Sequence, residues 1–456
     1  MASDWIHLRL SDVATFRNGA GIKQSFFSDK DDAVPLAKVS NFTQDSIDTR
    51  EMTKVEAEHA SNWNTHKLTA NDILIATVGS WPPNWSSVVG KVIRVPNEAD
   101  GAIQNQNTCC VIPRQDVDQS FLYYVLKSKS FLNYVVNVAQ GSANQARVPV
   151  KKLGAFSFLA PAKKSEQVKI GRILNRLDKA IKLNHQINQT LEQIAQSLFK
   201  SWFVNFDPVV DNALAAGNPI PDELAHRIEV RKKAHALPDF QPLPEHIRNL
   251  FPSDFEQTGE LTVGLDGWVP KGWNASVVGK EFDVTMGQSP PGDTYNESGY
   301  GMPFYQGRAD FQFRFPKNRV YCTEPKRLAS KGVTLVSVRA PVGDVNIAKE
   351  DCAIGRGVAA VLHKSLLTSY TYYAFKELGR HFKTYDGEGT VFGSINQKDF
   401  KNLPLVKVPE PVLMEFESIC GILDSKIESS SKSITTLSET RDYLLPKLIS
   451  GKLEVV

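Results

Sequence analysis

One stretch limits what this chain can become more than any other. Ser165 to Trp202 reads SEQVKIGRILNRLDKAIKLNHQINQTLEQIAQSLFKSW. Apolar residues fall at Ile170, Leu174, Leu177 and Ile181, then at Leu191, Leu198 and Trp202, with Asn184 and Asn188 at the seam positions between the two halves. Steps of four and three predict a helix with a coiled-coil seam. No proline breaks the run, and no glycine follows Gly171. About 37 helical residues make a rod of roughly 55 Å at about 1.5 Å per residue. A rod of that length needs a partner.

The partner is expected in a repeat. Trp5 to Phe16 (WIHLRLSDVATF) aligns with Trp273 to Val284 (WNASVVGKEFDV) at a shift of 268 residues. Each copy goes on to an apolar segment with a polar tail, Val34 to Phe42 and Met302 to Phe311, and then to a strand-like run ending in a glycine turn, Asp72 to Gly79 and Gly332 to Gly343. Short β-branched runs between Gly, Pro and Asn predict further strands at Val88–Val95, Thr108–Ile112, Val345–Ile347 and Val358–Leu362. One helix is expected in each copy, Gln119–Val138 and Ser369–Phe382, then a glycine-led polar loop, Gly141–Gln145 and Gly389–Ser394. The long helix itself recurs over Glu415–Leu448, with Leu423, Ile427, Ile434, Leu437 and Leu444 on its seam and Pro446 expected to kink or end it.

The expected fold class is therefore α+β: two similar α/β domains separated by two long helices that form an antiparallel coiled coil. Residues 1–160 form the first domain, 161–204 the central helix, 205–272 a connector, 273–408 the second domain and 409–456 the last helix. The connector holds eight of the 25 prolines. Apart from a short basic helix over His226–Ala234, it is expected to be extended.

Composition narrows the function classes. No apolar run reaches membrane-spanning length, and the opening residues MASDWIHLRLSD are too polar for a signal peptide. The five cysteines show no metal-ligand spacing, and their odd number argues against a disulfide framework and for a reducing cytoplasm. A net charge of +3 permits nucleic-acid binding without requiring it.

Several segments, in this order, resemble the specificity subunit of type I restriction–modification enzymes. They are Ser165–Leu174 (SEQVKIGRIL), Leu198–Asp207 (LFKSWFVNFD), Gly264 with Gly267–Trp273 (GWVPKGW), and Arg441–Leu453 (RDYLLPKLISGKL). The similarity covers nearly the whole chain. The family's Pro-Pro-Leu before Glu-Gln is weakened here to Pro161-Ala-Lys-Lys, and Glu415 precedes Phe416 rather than Gln. The resemblance implies two target-recognition domains, each reading half of a split double-stranded DNA site. It also implies helices that act as spacer and docking platform for two methyltransferase (modification) subunits, which restriction/translocase subunits join. S-adenosylmethionine, ATP and Mg are then expected in those partner subunits, with no cofactor or catalysis in this chain.

Two copies of one fold on an antiparallel pair suit the local two-fold symmetry of DNA. A rod of roughly 50 Å matches about 1.5 turns of duplex at about 34 Å per turn, so helix length is expected to set the gap between half-sites. Arg forks onto guanine and Gln onto adenine in the major groove, whereas Lys mainly neutralises phosphate. The densest run of aromatic and basic residues lies between Tyr300 and Lys331 and includes Phe304, Tyr305, Arg314 and Arg319. The same alternation also suits a half-buried strand. The candidate DNA contacts are Lys23, Lys38, Asn41, Trp81, Asn84 and Gln145 in the first domain, and Gln288, Gln306, Arg308 and Arg339 in the second.

Two patterns suggest chemistry and are set aside. Trp81-Pro-Pro-Asn84 reverses an amino-methyltransferase motif, and no glycine-rich cofactor loop follows an early strand. Asp310 with Glu324-Pro-Lys326 loosely fits a nuclease metal site, but Pro325 sits badly in the strand that such a site requires. The rival functions are a self-sufficient DNA methyltransferase or nuclease, and a stand-alone DNA-binding scaffold.

Overall fold

A computed structural model describes residues 4–385 and 393–455, leaving aside the side chain of Lys383. The chain packs as two units, Met1–His185 with Lys432–Val456, and Gln186–Ser431.

In the first unit, Trp5–Arg9 pairs antiparallel with Ser157–Pro161. A four-stranded antiparallel sheet follows, ordered Ala14–Asn18, Thr108–Pro113, Ile73–Ala76 and Val92–Arg94. Successive side chains of a strand face opposite sides, and both sides are buried here. Ile73, Ile75, Cys109 and Val111 pack under the helices Gln119–Leu126 and Lys129–Val138, while Leu74, Ala76 and Cys110 join a second core. A smaller sheet sets Val34–Ala37 parallel to Ile103–Gln104. The single helix expected over Gln119–Val138 is two, because Ser128 accepts the Phe131 amide at 3.3 Å and starts a new helix.

The second unit repeats this layout. Asn274–Val277 pairs with Pro404–Lys407, and the four-stranded sheet runs Phe282–Met286, Val358–His363, Thr334–Ser337, Val345–Ile347. Met302–Tyr305 lies parallel to Cys352–Ile354. The second expected helix also divides, into Thr368–Glu377 and Gly379–Phe382.

Both long helices are single elements of 40 residues, Lys164–Phe203 and Glu410–Ile449. They run antiparallel in each unit. In the first, Ile170 and Leu174 share a core with Leu448, and Asp178 meets Arg441 at 2.9 Å. In the second, Asn188 donates to Ser431 at 3.0 Å, and Phe199 packs on Phe416. Ile181 and Ile427 are buried on the seam, whereas Leu177, Leu423, Ile434, Leu437 and Leu444 are half-buried.

Three expectations are corrected. Leu191 and Leu198 are only half-buried, and the buried face is Glu192, Ala195, Phe199 and Trp202. A straight helix drifts about 20° per heptad from a 3.5-residue seam, and this half packs on a globular core as well as on its partner helix. Pro446 neither ends the last helix nor precedes its end by a full turn; the helix continues to Ile449. The missing N–H of Pro446 deprives only the Asp442 carbonyl, four residues back, of a helical donor.

The stretch 205–272 is folded rather than extended. It holds helices Asp207–Ala216 and Ala225–His235 and a hairpin of Phe255–Gln257 with Trp268–Pro270. Phe206, Val209, Leu224, Ile247, Phe251, Val263 and Val269 are buried in the second unit's core. Between its prolines the stretch carries an apolar residue every few positions. Pro208 stands at the start of a helix, where its missing N–H costs nothing.

Candidate nucleic-acid interface

The candidate residues fall on corresponding loops of the two units. One loop follows the parallel strand. In the first unit, Asn41 Oδ1 accepts the Lys38 amide at 3.0 Å. In the second, Asp310 Oδ2 accepts the Gln306 amide at 2.9 Å. The same turn is thus closed by a carbonyl in one copy and by a carboxylate in the other. Asn41 has a local structural task, and Lys38 is tied as well: its ammonium donates to Thr53 Oγ1 at 2.7 Å and lies 4.7 Å above the Phe27 ring. Gln306 and Arg308 are exposed.

A second loop follows the central strand. In the first unit Val78–Gly79 pairs with the hairpin Gln140–Ser142/Gln145–Arg147. The Trp81 indole donates to the Ser142 carbonyl at 2.8 Å, and Asn84 Oδ1 accepts from Ser86 at 2.8 Å. This edge therefore brings Trp81, Asn84 and Gln145 together. In the second unit Arg339 is exposed and its backbone bridges Ser394. The expected loop from Gly389 lies outside the described residues as far as Phe392.

Lys23 and Gln288 sit exposed after a tight crossing of two strands. A Cβ on Gly19 would stand 2.0 Å from the Asn105 carbonyl oxygen, and one on Gly287 would stand 2.2 Å from that of Gly355. Only glycine lets these backbones cross, and the two glycines correspond at the 268-residue shift.

The run from Tyr300 to Lys331 is largely internal. Phe304 and Tyr305 are fully buried, Tyr305 donating to Asn318 at 2.6 Å. Arg319 pairs with buried Asp310 at 3.0 Å, and Asp310 also accepts the Gln306 amide. Among the described residues no group of three or more His, Cys, Asp or Glu could hold a metal ion.

Arg314, in the same run, is internal as well. Its side chain is 1 % exposed and forms ion pairs with Glu192 and Asp424. It also donates to the Tyr373 hydroxyl at 2.9 Å and lies 4.4 Å above the Tyr372 ring. Burial alone would raise the Glu192 carboxyl, but Arg314, Lys376 and Tyr372 overcome it and hold the group below its ordinary range. No periodicity marks Arg314, because its partners are brought to it by the tertiary fold.

All five cysteines are free and buried. Burial pushes the Cys109 and Cys110 thiols up to about 12, so neither has thiolate character at neutral pH. No helix among the described residues is long and apolar enough to cross a membrane.

Comparison with known proteins agrees with this architecture. A family model described as "Type I restriction modification DNA specificity domain" matches residues 2–193 and 270–439, one match per repeat. The MjaX specificity subunit attributed to a type I restriction enzyme of Methanocaldococcus jannaschii is 25% identical over 461 residues, covering 99% of this chain and 94% of that protein. The HindI specificity subunit of Haemophilus influenzae is 25% identical over 396 residues, covering 80% and 84%. The crystal structure of a type I restriction–modification S subunit from M. genitalium shares the fold, with a TM-score of 0.58 at 15% identity over 98% and 96% of the two chains. A fold that occurs twice, matched copy by copy and joined by two long helices, makes this chain a member of the type I restriction–modification DNA specificity family.

Proposed function

We propose that the chain reads a two-part DNA target, one half-site per repeated fold, and positions methyltransferase subunits on adenine without catalysis of its own. The duplication carries this reading. Lys38 with Asn41 in one copy answers to Gln306 with Asp310 in the other, and exposed Arg308 is added on that second turn. Different side chains on one scaffold suit two different half-sites. Two modification subunits bind S-adenosylmethionine in this scheme, and restriction subunits add ATP- and Mg-dependent translocation and cutting. The edge of half-buried Trp81 with exposed Asn84 and Gln145, and the Gln288, Gln306, Arg308 and Arg339 loops, supply the base and phosphate contacts.

The test is to assemble the chain with the modification subunits of its host and map methylated adenines across a random DNA library. The expected result is one bipartite motif with a fixed gap. Methylation or cutting by the lone chain, supplied with S-adenosylmethionine or Mg, would overturn the reading.

A further inference from the structure

The buried cluster around Arg314 has a counterpart that sequence alignment would not pair. In the second unit, Tyr372, Tyr373 and Lys376 lie on the helix behind the sheet, Asp424 on the last long helix and Glu192 on the central one. At a shift of 249 residues these positions are Tyr123, Tyr124, Lys127, Asn175 and Arg441 in the first unit. Both sets converge on an arginine. Arg94 lies 4.1 Å above the Tyr123 ring and donates to Asn175 Oδ1 at 2.8 Å. Arg314 lies above Tyr372 and pairs with Asp424.

The two arginines do not correspond in sequence. Arg94 ends the strand Val92–Arg94, whose counterpart Val345–Ile347 ends in Ile347. Arg314 comes from another loop, reaching over with a left-handed backbone (φ 63°) whose carbonyl accepts the Ile347 amide at 2.8 Å. That conformation is unfavourable for a residue with a Cβ. A cation at this point has therefore been supplied from two different places, once through a strained backbone.

The groups it joins belong to two parts of each unit. In the second unit, Tyr372 and Tyr373 belong to the recognition fold, while Glu192 and Asp424 belong to the helix pair. Tyr372 donates to Glu192 at 3.0 Å, Lys376 to Glu192 at 3.1 Å, and Tyr373 to Asp424 at 2.9 Å. Apolar packing is tolerant of small rotations, whereas buried ion pairs with hydrogen-bonded flanks have a single good geometry.

We propose that the Arg314–Glu192–Asp424 cluster is a positioning lock: it fixes the orientation of the second recognition fold on the helix pair, and through it the gap length at which the DNA target is accepted. Arg314 acts through the fold it holds and touches no base. The inference rests on the DNA-reading function proposed above.

The experiment uses the full chain assembled with its modification subunits and a DNA library in which the gap between half-sites varies in length. Methylated adenines are then sequenced. Wild type is expected to select one gap. Arg314→Met is expected to keep the base preference at both half-sites while methylation at neighbouring gap lengths rises roughly fivefold or more. Glu192→Gln keeps a hydrogen-bonding side chain in place and is the variant to use if Arg314→Met does not fold; it is expected to relax the gap in the same sense. Arg314→Lys, which retains the charge but not the fork, is expected to fall between Met and wild type. Phe400→Leu, a core change in the same unit away from the helix pair, is expected to lower total methylation without changing the gap. Folded Arg314→Met and Glu192→Gln complexes that keep the wild-type gap would overturn the lock and leave the DNA-reading function standing. A wild-type complex with no sequence preference would overturn both.

Discussion

The two units solve one mechanical problem with different charges. Two corresponding loops are tied together in each. In the first unit Lys91, from the loop before Val92, donates to the Ser86 carbonyl at 2.6 Å and the Phe42 carbonyl at 3.4 Å. In the second, the corresponding position is Asp344, which pairs with Arg308 at 2.5 Å. A cation that binds backbone carbonyls has been exchanged for an anion that binds a side chain. A related change occurs at the helices, where neutral Asn175 gives way to anionic Asp424 and cationic Arg441 to anionic Glu192. A duplicated fold thus keeps its backbone plan and its aromatic pairs but not the sign of its polar ties. The electrostatic behaviour of one copy cannot be read from the other.

That contrast can be broken experimentally. The largest effect is expected at the buried arginines. Arg314→Leu takes the buried cation from Glu192 and Asp424, leaving Glu192 with Lys376 and Tyr372 and Asp424 with only the Tyr373 hydroxyl, and should cost about 3–5 kcal/mol. Arg94→Leu breaks a bond to a neutral amide and should cost about 1–3 kcal/mol. Denaturant unfolding followed by tryptophan fluorescence measures both. Equal costs would show that the charge difference between the clusters is energetically idle.

Next come the loops proposed to read DNA. Arg308→Ala and Gln306→Ala should each weaken discrimination in the second half-site by about 1–3 kcal/mol, and Gln145→Ala should do so only in the first. Competition binding with half-site variants by the assembled complex separates them. A change in the opposite half-site would undo the one-fold, one-half-site assignment.

Acid supplies a third probe. The Glu192 carboxyl is held below its ordinary value of 4.5, so its contribution is present above that value, where the unfolded chain is ionised too. It is lost as pH falls through the lower folded value. Glu192→Gln should flatten this acid-side loss, as seen in unfolding midpoints between about pH 5 and pH 2. The smallest effect concerns the exposed tie: Asp344→Asn should change stability by less than about 1 kcal/mol.

The repeat was legible because burial writes a pattern. Trp5 and Trp273, the short β-branched strands and the seam residues Ile170, Leu174 and Ile181 all recur or alternate as their surroundings require. Gly19 and Gly287 stood at matched positions, but only the 2.0 Å and 2.2 Å approaches explain them. Residues 205–272 were misread because proline density suggests an extended chain, while single apolar residues such as Phe206 and Val263 show no period. The place of Arg314 stayed open for a related reason. An arginine among aromatics looks the same whether it faces DNA or a carboxylate 122 positions away in the chain. Lys38 and Asn41 were placed on a reading loop, and the structure adds the bonds that hold that loop's shape.

The first unit has a consequence for how the protein comes into being. Its core includes Leu448, and Asp178 meets Arg441, 263 positions later. A ribosome releases residues in order, so the first recognition fold emerges long before the segment that completes it. Contacts of such sequence separation form late and slowly. The earliest part of the chain to be made is thus among the last to be finished, and a nascent chain stalled before Lys432 would hold Ile170 and Leu174 without the leucine that covers them.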